Sequence, residues 1–524
     1  MNERSSYRNP ILPGFYPDPS ICRVGEDFFL VNSSFAYFPG IPIHHSRDLV
    51  NWEQIGNALD RPSQLPLEGA GASRGIFAPT IRCHAGRFYI VCTNVDRGGS
   101  FAVTAEDPAG PWSEPAWLPD APGIDPSLFF DDAGGDGESR AWYCGTRPSP
   151  EGERYPGNWE IWLQEFDPVS LSLLGHARGL WRGALLDCAW PEGPHIYRRE
   201  GWYYLMIAEG GTSLCHAVSV ARSRDLAGPW ESNPSNPILT HRHLGKDYPI
   251  VNVGHGDLVD DSRGDWWMVH LASRPYGGLY HNMGRETFLV PVVWEDEWPL
   301  PSPGSGRVEE HYPLPRLPRF DTEPIPACEN FEGSVLAPCW LSLRGPAAGF
   351  SSLAERPGFL RLRALAGTLR DKTAVSYVGR RQRDMSFCAR TAMEFSPARE
   401  GEAAGLALFQ SEDYQYRLEL TLSHNVQILR LVAAEGGKDR VVAERAFGGP
   451  RIVLCVEAQG QDLSFHFGPT PGVLELLASG VDGRLLSTER ALGFVGTTIG
   501  MFASGGGRDS ALSADFDWFE YRAL

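Results

Sequence analysis

The chain has 524 residues and a formal net charge of −18, and that acidity argues against nucleic acid or anionic membranes as partners, since both select basic patches. A chain this long is expected to form two or more domains, because single cores stop growing at roughly 250–300 residues. Glycine and proline are abundant, no long stretch keeps a 3.6-residue period, and short aromatic and β-branched runs end in Gly, Asp or Pro, so the fold class is all-β.

The first residues, Met1 to Pro10, are polar and lack the apolar run of a secretory signal. No segment approaches the ~20 apolar residues of a membrane span. The ten cysteines are dispersed without a Cys-x-x-Cys pair, and several sit in apolar strands such as Tyr89-Ile90-Val91-Cys92. They read as reduced, buried thiols of a cytoplasmic protein.

One unit recurs five times along the first part of the chain. Asp18-Pro19-Ser20-Ile21 precedes a turn at Gly25-Glu26-Asp27 and a strand at Phe28-Phe29-Leu30-Val31. Ala78-Pro79-Thr80-Ile81 leads in the same way to Phe88-Tyr89-Ile90-Val91. Asp125-Pro126-Ser127-Leu128 leads through a polar loop at Gly137 to Ala141-Trp142-Tyr143. Glu192-Gly193-Pro194-His195-Ile196 leads to Trp202-Tyr203-Tyr204-Leu205, and Gly254-His255-Gly256-Asp257-Leu258 to Trp266-Trp267-Met268-Val269. A second echo, Ser46-Arg47-Asp48-Leu49 before Trp52 and Ser223-Arg224-Asp225-Leu226 before Trp230, follows some copies. Repeats spaced by roughly 45–70 residues, made of short strands, predict propeller blades, whose sheets bury their faces only by stacking around an axis. The first strand of each blade lines that axis. Asp18, Asp125, Glu192 and His255, at or beside equivalent positions, are thereby expected to converge.

From Pro299 to about Ala327 the chain is proline-rich and reads as an extended or wrapping segment. Beyond Cys328 the strand candidates, among them Phe359 to Arg363, Tyr416 to Leu420, Asn425 to Leu431 and Arg451 to Val456, alternate apolar and polar, as a sheet with one solvated face does. The expected organisation is a five-bladed β-propeller over 1–310, a Pro-rich linker over 311–327 and a β-sandwich of the jelly-roll, concanavalin-like kind over 328–524.

Converging carboxylates can supply a general base, a general acid and a group that tunes the acid, which is the equipment of glycoside hydrolysis without a metal or organic cofactor. The blocks Gly14-Phe15-Tyr16-Pro17-Asp18-Pro19-Ser20, Ile124-Asp125-Pro126-Ser127-Leu128-Phe129 and Glu192-Gly193-Pro194-His195-Ile196-Tyr197 resemble the signature of glycoside hydrolase family 43. So do Gly75-Ile76-Phe77-Ala78-Pro79, Gly254-His255-Gly256-Asp257 and Gly284-Arg285-Glu286-Thr287-Phe288. The C-terminal part is similar to the sandwich of that family's β-xylosidase branch, notably at Ala404 to Gln410 and Phe516 to Tyr521.

The resemblance implies an inverting mechanism with Asp18 as general base, Glu192 as general acid and Asp125 as the carboxylate that orients the acid and raises its pKa. It implies substrate contacts from Arg285, Phe35, Phe77, Thr212 and His255, with Phe494 of the sandwich closing the pocket mouth. It also implies a structural calcium on the propeller axis, met by His255 directly or through its waters, although no Asp/Glu cluster with calcium spacing is visible. The expected activity is exo-acting release of terminal β-D-xylosyl units from xylo-oligosaccharides, with α-L-arabinofuranosyl units of arabinose-substituted oligosaccharides as a second substrate. Alternatives are a dedicated α-L-arabinofuranosidase, a non-catalytic carbohydrate-binding propeller, and a retaining fructan-type hydrolase, whose Asn-Asp-Pro-Asn and Arg-Asp-Pro blocks are missing. A homo-oligomer is left open.

Overall fold

The computed structural model describes residues 6–132 and 139–524; the polar loop through Gly137 and the first five residues lie outside the described residues. The five repeats are five antiparallel sheets, each made of strands consecutive in the chain. The leading strands are Ser20–Val24, Thr80–His84, Ile124–Asp131, Glu192–Arg199 and Val251–Asp260. Each contacts the leading strands on either side, so the five close a ring around one axis. The turn of each repeat joins this strand to the aromatic one, as in Ser20–Val24 with Asp27–Val31 and Glu192–Arg199 with Trp202–Glu209. The second echo sits at the outer edge of the blades. There Trp52 Nε1 donates to the carbonyl of Leu49 and Trp112 Nε1 to that of Pro108.

The ring is locked at its axis by one carboxylate. Asp257, fully buried in the fifth blade, accepts hydrogen bonds from Ser20 Oγ (2.8 Å) and the Ile21 amide (3.0 Å) in the first blade. It also accepts from Arg82 Nη1 (2.9 Å) in the second blade and Tyr197 Oη (2.6 Å) in the fourth. Arg82 Nη2 lies 2.9 Å from His195 Nδ1, and burial holds that imidazole neutral with its pKa down at about 3. Burial pushes the Asp257 carboxyl up, but Arg82, His195 and the Tyr197 hydroxyl pull it far below the usual carboxylate range. The ends of the propeller are sewn together separately. Ser6–Arg8 pairs with His311–Pro313, and the Asn9 side chain brackets the Leu289 backbone, donating to its carbonyl and accepting from its amide. The Pro-rich segment thus begins as a strand of the propeller's closure. It then wraps the surface through Arg316 to Asp265 and the Phe320 amide to Asp48.

Residues from Cys328 onward form two packed sheets, one ordered around Phe387–Glu394, Arg451–Gln459 and Ser513–Ala523, the other around Ala403–Ser411, Tyr414–Ser423 and Thr498–Ser504. Their facing sides, including Leu406, Leu418, Leu454 and Phe516, make the largest apolar core. The expected solvated face fails on the second sheet. Gln415, Arg417, Glu419 and Thr421, the polar alternates of Tyr414–Ser423, are buried. On the same face the neighbouring strands carry Ala403, Ala407, Phe409 and Phe502, which pack with Phe15, Phe35 and Tyr37 of the propeller. Tyr37–Phe38 pairs with Ser342–Leu343 across this junction, and Arg344 joins Glu412 (2.6 Å) and the carbonyl of Ala70. The reading of the cysteines as buried is also corrected: all ten are unbridged, but Cys215 and Cys328 are exposed.

Asp257→Asn leaves the Arg82 guanidinium buried without its counter-charge, and losing one partner of a buried pair costs about 3–5 kcal/mol. The variant is expected to unfold at markedly lower temperature and denaturant concentration than the parent, read by calorimetry and urea titration at neutral pH. At that pH the carboxylate's contribution is fully present, since a depressed pKa forfeits stability only as the pH falls through it.

Candidate active site

The leading strands do not run straight into the axis. Their pairing with the next strand shifts register between Ile124 and Ser127, between Glu192 and His195, and between Gly254 and Gly256. At these points the backbone turns left-handed, with φ of 52° at Asp125, 55° at Gly193 and 48° at His255, and it does the same, with φ of 54°, at Asp18 just ahead of the first leading strand. Such irregularities re-aim a side chain at the cost of local strain. Glycine at 193 is required by space, because a Cβ there would stand 2.8 Å from the His255 ring.

As a result, one cavity of about 70 Å³ is lined by Asp18, Asp125, Glu192, Arg285, Thr212, His255, Phe35, Phe77 and Phe494, together with Ala78 and Ile124. All nine residues singled out in the sequence meet there. It opens into a vestibule of about 550 Å³ that shares Thr212, Arg285 and Phe494 and adds Lys246, Leu279, His281, Glu489 and Leu492. Three aromatic rings build one wall. Phe35 and Phe494 stack with centroids 6.3 Å apart, while Phe77 meets Phe35 and Phe494 edge-on, each at 5.7 Å. Phe494 belongs to the sandwich, and its amide is pinned by Ser73 Oγ at 2.9 Å.

The carboxyls differ in their surroundings. Burial pushes Asp18 up, but the Arg285 guanidinium, His255 and the Ser33 hydroxyl outweigh it and hold this carboxyl below its usual range. Arg285 Nη1 lies 2.9 Å from one Asp18 oxygen and Ser33 Oγ 2.5 Å from the other. Glu192 is pushed up to about 7, first by burial and then by the charge of Asp18. Asp125 is also raised, by burial and by Glu192, against the pull of Arg285 and a hydrogen bond from the Gly193 amide. Two buried carboxyls that interact this strongly retain a proton between them near neutral pH. At Glu192 burial leads the rise and the charge of Asp18 follows, and the neighbouring Asp125 and Glu192 raise each other as a pair.

Ser33, which fixes Asp18, escaped the sequence reading because a serine in Asn32-Ser33-Ser34 carries no distinguishing pattern. Arg285 was expected on substrate hydroxyls; here it also ion-pairs with the base. Its Nε is buried without a partner among the described residues, leaving a donor unspent at the cavity.

A calcium at His255 does not fit the donors around it. Calcium takes about six to eight oxygen ligands. The carboxylate beside His255 is Asp18, with Nδ1 3.8 Å from Oδ1, and both Asp18 oxygens are already engaged. The other close groups are the Asp257 carboxylate, whose oxygens are already taken by Ser20, Ile21, Arg82 and Tyr197, the Arg285 guanidinium and the His216 imidazole, which burial keeps neutral. Among the described residues the one cluster of three metal-binding side chains is Cys388, Cys455 and Glu457, in the sandwich.

Comparison with known proteins agrees with this site. The model of glycosyl hydrolases family 43 matches residues 7–299, and that of the β-xylosidase C-terminal concanavalin A-like domain matches residues 328–522. A xylosidase/arabinosidase of Butyrivibrio fibrisolvens is 48% identical over 517 residues, covering 98% of each chain. A non-reducing end α-L-arabinofuranosidase of Bacteroides ovatus is 38% identical, covering 99% of this chain and 96% of that one. The crystal structure of a xylan β-1,4-xylosidase from Bacillus halodurans C-125 superposes with a TM-score of 0.92 at 34% identity, covering 98% of this chain and all of that one. With carboxylates gathered on a propeller axis and a sandwich finishing their cavity, the chain belongs to glycoside hydrolase family 43.

Proposed function

We propose that the protein is an exo-acting, inverting glycosidase that releases terminal β-D-xylosyl units from xylo-oligosaccharides and accepts α-L-arabinofuranosyl units as a second substrate. The observation that carries this reading is the small cavity that holds Asp18, Asp125 and Glu192 and is walled on one side by Phe494. A cavity finished by a second domain suits the end of a chain, not its middle.

Ionised Asp18 is the general base: held by Arg285 and Ser33, it takes a proton from water on one face of the sugar. Protonated Glu192 is the general acid on the leaving oxygen, and Asp125, tethered to the Gly193 amide, orients it and shares its proton. An inverting pair leaves room for the water between base and acid. The Arg285 guanidinium is offered to sugar hydroxyls, the three phenylalanines face the ring's C–H surface, and Thr212 and His255 complete the lining. The chemistry uses side chains and water and calls for no cofactor. The relatives' printed names, one xylosidase/arabinosidase and one α-L-arabinofuranosidase, support both sugars as substrates. A cytoplasmic location rests on the unbridged cysteines, and the proposed substrates are imported oligosaccharides.

A proton NMR time course on xylobiose should show α-xylose as the first product; β-xylose first, or no hydrolysis, overturns the mechanism. Rates on the 4-nitrophenyl β-D-xylopyranoside and α-L-arabinofuranoside rank the two sugars. A large preference for arabinoside replaces the reading with a dedicated arabinofuranosidase. Asp18→Asn and Glu192→Gln should each lower kcat by roughly 10²–10⁴-fold with the fold intact by circular dichroism.

The pH profile of kcat/KM on xylobiose should be a bell. Its alkaline limb falls as Glu192 loses its proton near pH 7, and its acid limb falls as Asp18 gains one below the usual carboxylate range. Phe494→Ala removes one ring of the aromatic wall. An aromatic pair is worth about 0.5–1.5 kcal/mol, so kcat/KM is expected to fall roughly three- to tenfold or more, chiefly through KM.

A further inference from the structure

On the outer face of the sandwich, remote from the cavity, the thiols of Cys388 and Cys455 face each other across two neighbouring strands. Their sulfurs are 3.8 Å apart, too far for a disulfide, and both side chains are buried. Alternation fixes their direction: Phe387, Ala389, Leu454 and Val456 point into the sandwich core, so Cys388 and Cys455 point away from it. Glu457 lies directly opposite Cys388 in register, and its carboxylate comes within 4.8 Å of both sulfurs. His466 lies directly opposite Cys455 on the next strand, and its Nε2 is buried without a partner among the described residues.

We propose that Cys388, Cys455 and Glu457 form a binding site for a thiophilic d¹⁰ cation, Zn²⁺, with water as the fourth ligand. The spacing suits that ion. Two sulfurs each about 2.3 Å from a tetrahedral zinc stand about 3.8 Å from one another. The donor set, two soft thiolates with one carboxylate, is one that zinc accepts and that calcium or magnesium, which need oxygen ligands, do not. Charge allows it. Arg390, opposite Cys455, is committed to Glu520, and Glu457 faces Arg522 across Cys388. Loading the site releases the two thiol protons to solvent, so two thiolates balance the dication. Such an ion would staple Phe387–Glu394 to Arg451–Gln459, two central strands of the sheet, and would take no part in the carboxylate chemistry.

The test uses the full-length protein, reduced with a non-chelating phosphine, stripped of metal and titrated with Co²⁺, then with Zn²⁺. One cobalt per chain is expected, with an intense thiolate-to-cobalt band in the near ultraviolet and tetrahedral bands in the visible, all bleached by one equivalent of zinc. The double variant Cys388→Ser/Cys455→Ser should lose these bands, and Cys215→Ser/Cys328→Ser, which removes exposed thiols, should keep them. Glu457 is exposed, so Glu457→Gln puts folding at little risk and should weaken cobalt binding at least about tenfold. Absence of the band from the parent, its survival in the Cys388/Cys455 double variant, or parental affinity in Glu457→Gln overturns the proposal. The readout is optical and independent of glycosidase activity, so its failure leaves the catalytic reading where it stood.

Discussion

Asp257 carries the arrangement on which the rest depends. A carboxylate with no exposure to solvent is costly unless each of its lone pairs is used. Here Ser20, Ile21, Arg82 and Tyr197 use them, and those four residues come from three other blades. A propeller has no central core of its own; its blades touch along their flanks and could slide. Gathering four blades onto one charge removes that freedom at the radius where catalytic side chains must agree in position. His255, two residues earlier on the same strand, is held in the cavity by the same anchoring.

The cavity is an electrostatic compromise. Three buried carboxyls repel one another, and a single fixed cation, Arg285, stands among them. It is placed asymmetrically, in contact with Asp18, so that one carboxyl is held ionised while the other two are pushed toward the neutral form. Ser33 adds to the same bias. Under the proposed mechanism, that bias is what would make base and acid different residues, since their side chains are chemically near-equivalent.

Much of this was legible in the chain. The blade repeat shows in the turn and aromatic-strand pattern, because each blade needs the same hairpin. The carboxylates stand out because they occupy equivalent places in it. Other features leave no local trace. Nothing near Arg82 or Asp257 marks them as partners, since the contact joins residues far apart in sequence. The alternation of Tyr414–Ser423 suggested a wet face, but Arg417 and Glu419 answer each other beneath a covered surface. Pattern records which residues are polar and is silent about what later covers them. The pairing of Ser6–Arg8 with His311–Pro313 likewise depends on circular closure, which no window of sequence contains.

Phe494 has a consequence for how the enzyme comes into being. The carboxylates and Arg285 all precede it in the chain by about 200 residues or more. The last wall of the cavity arrives only with the helix-to-strand segment of the sandwich, between Thr488–Ala491 and Thr498–Ser504, after most of that domain has been translated. Without it the cavity lacks one of the three rings of its aromatic wall. Completing the second domain is therefore the event that turns a folded propeller into a working catalyst.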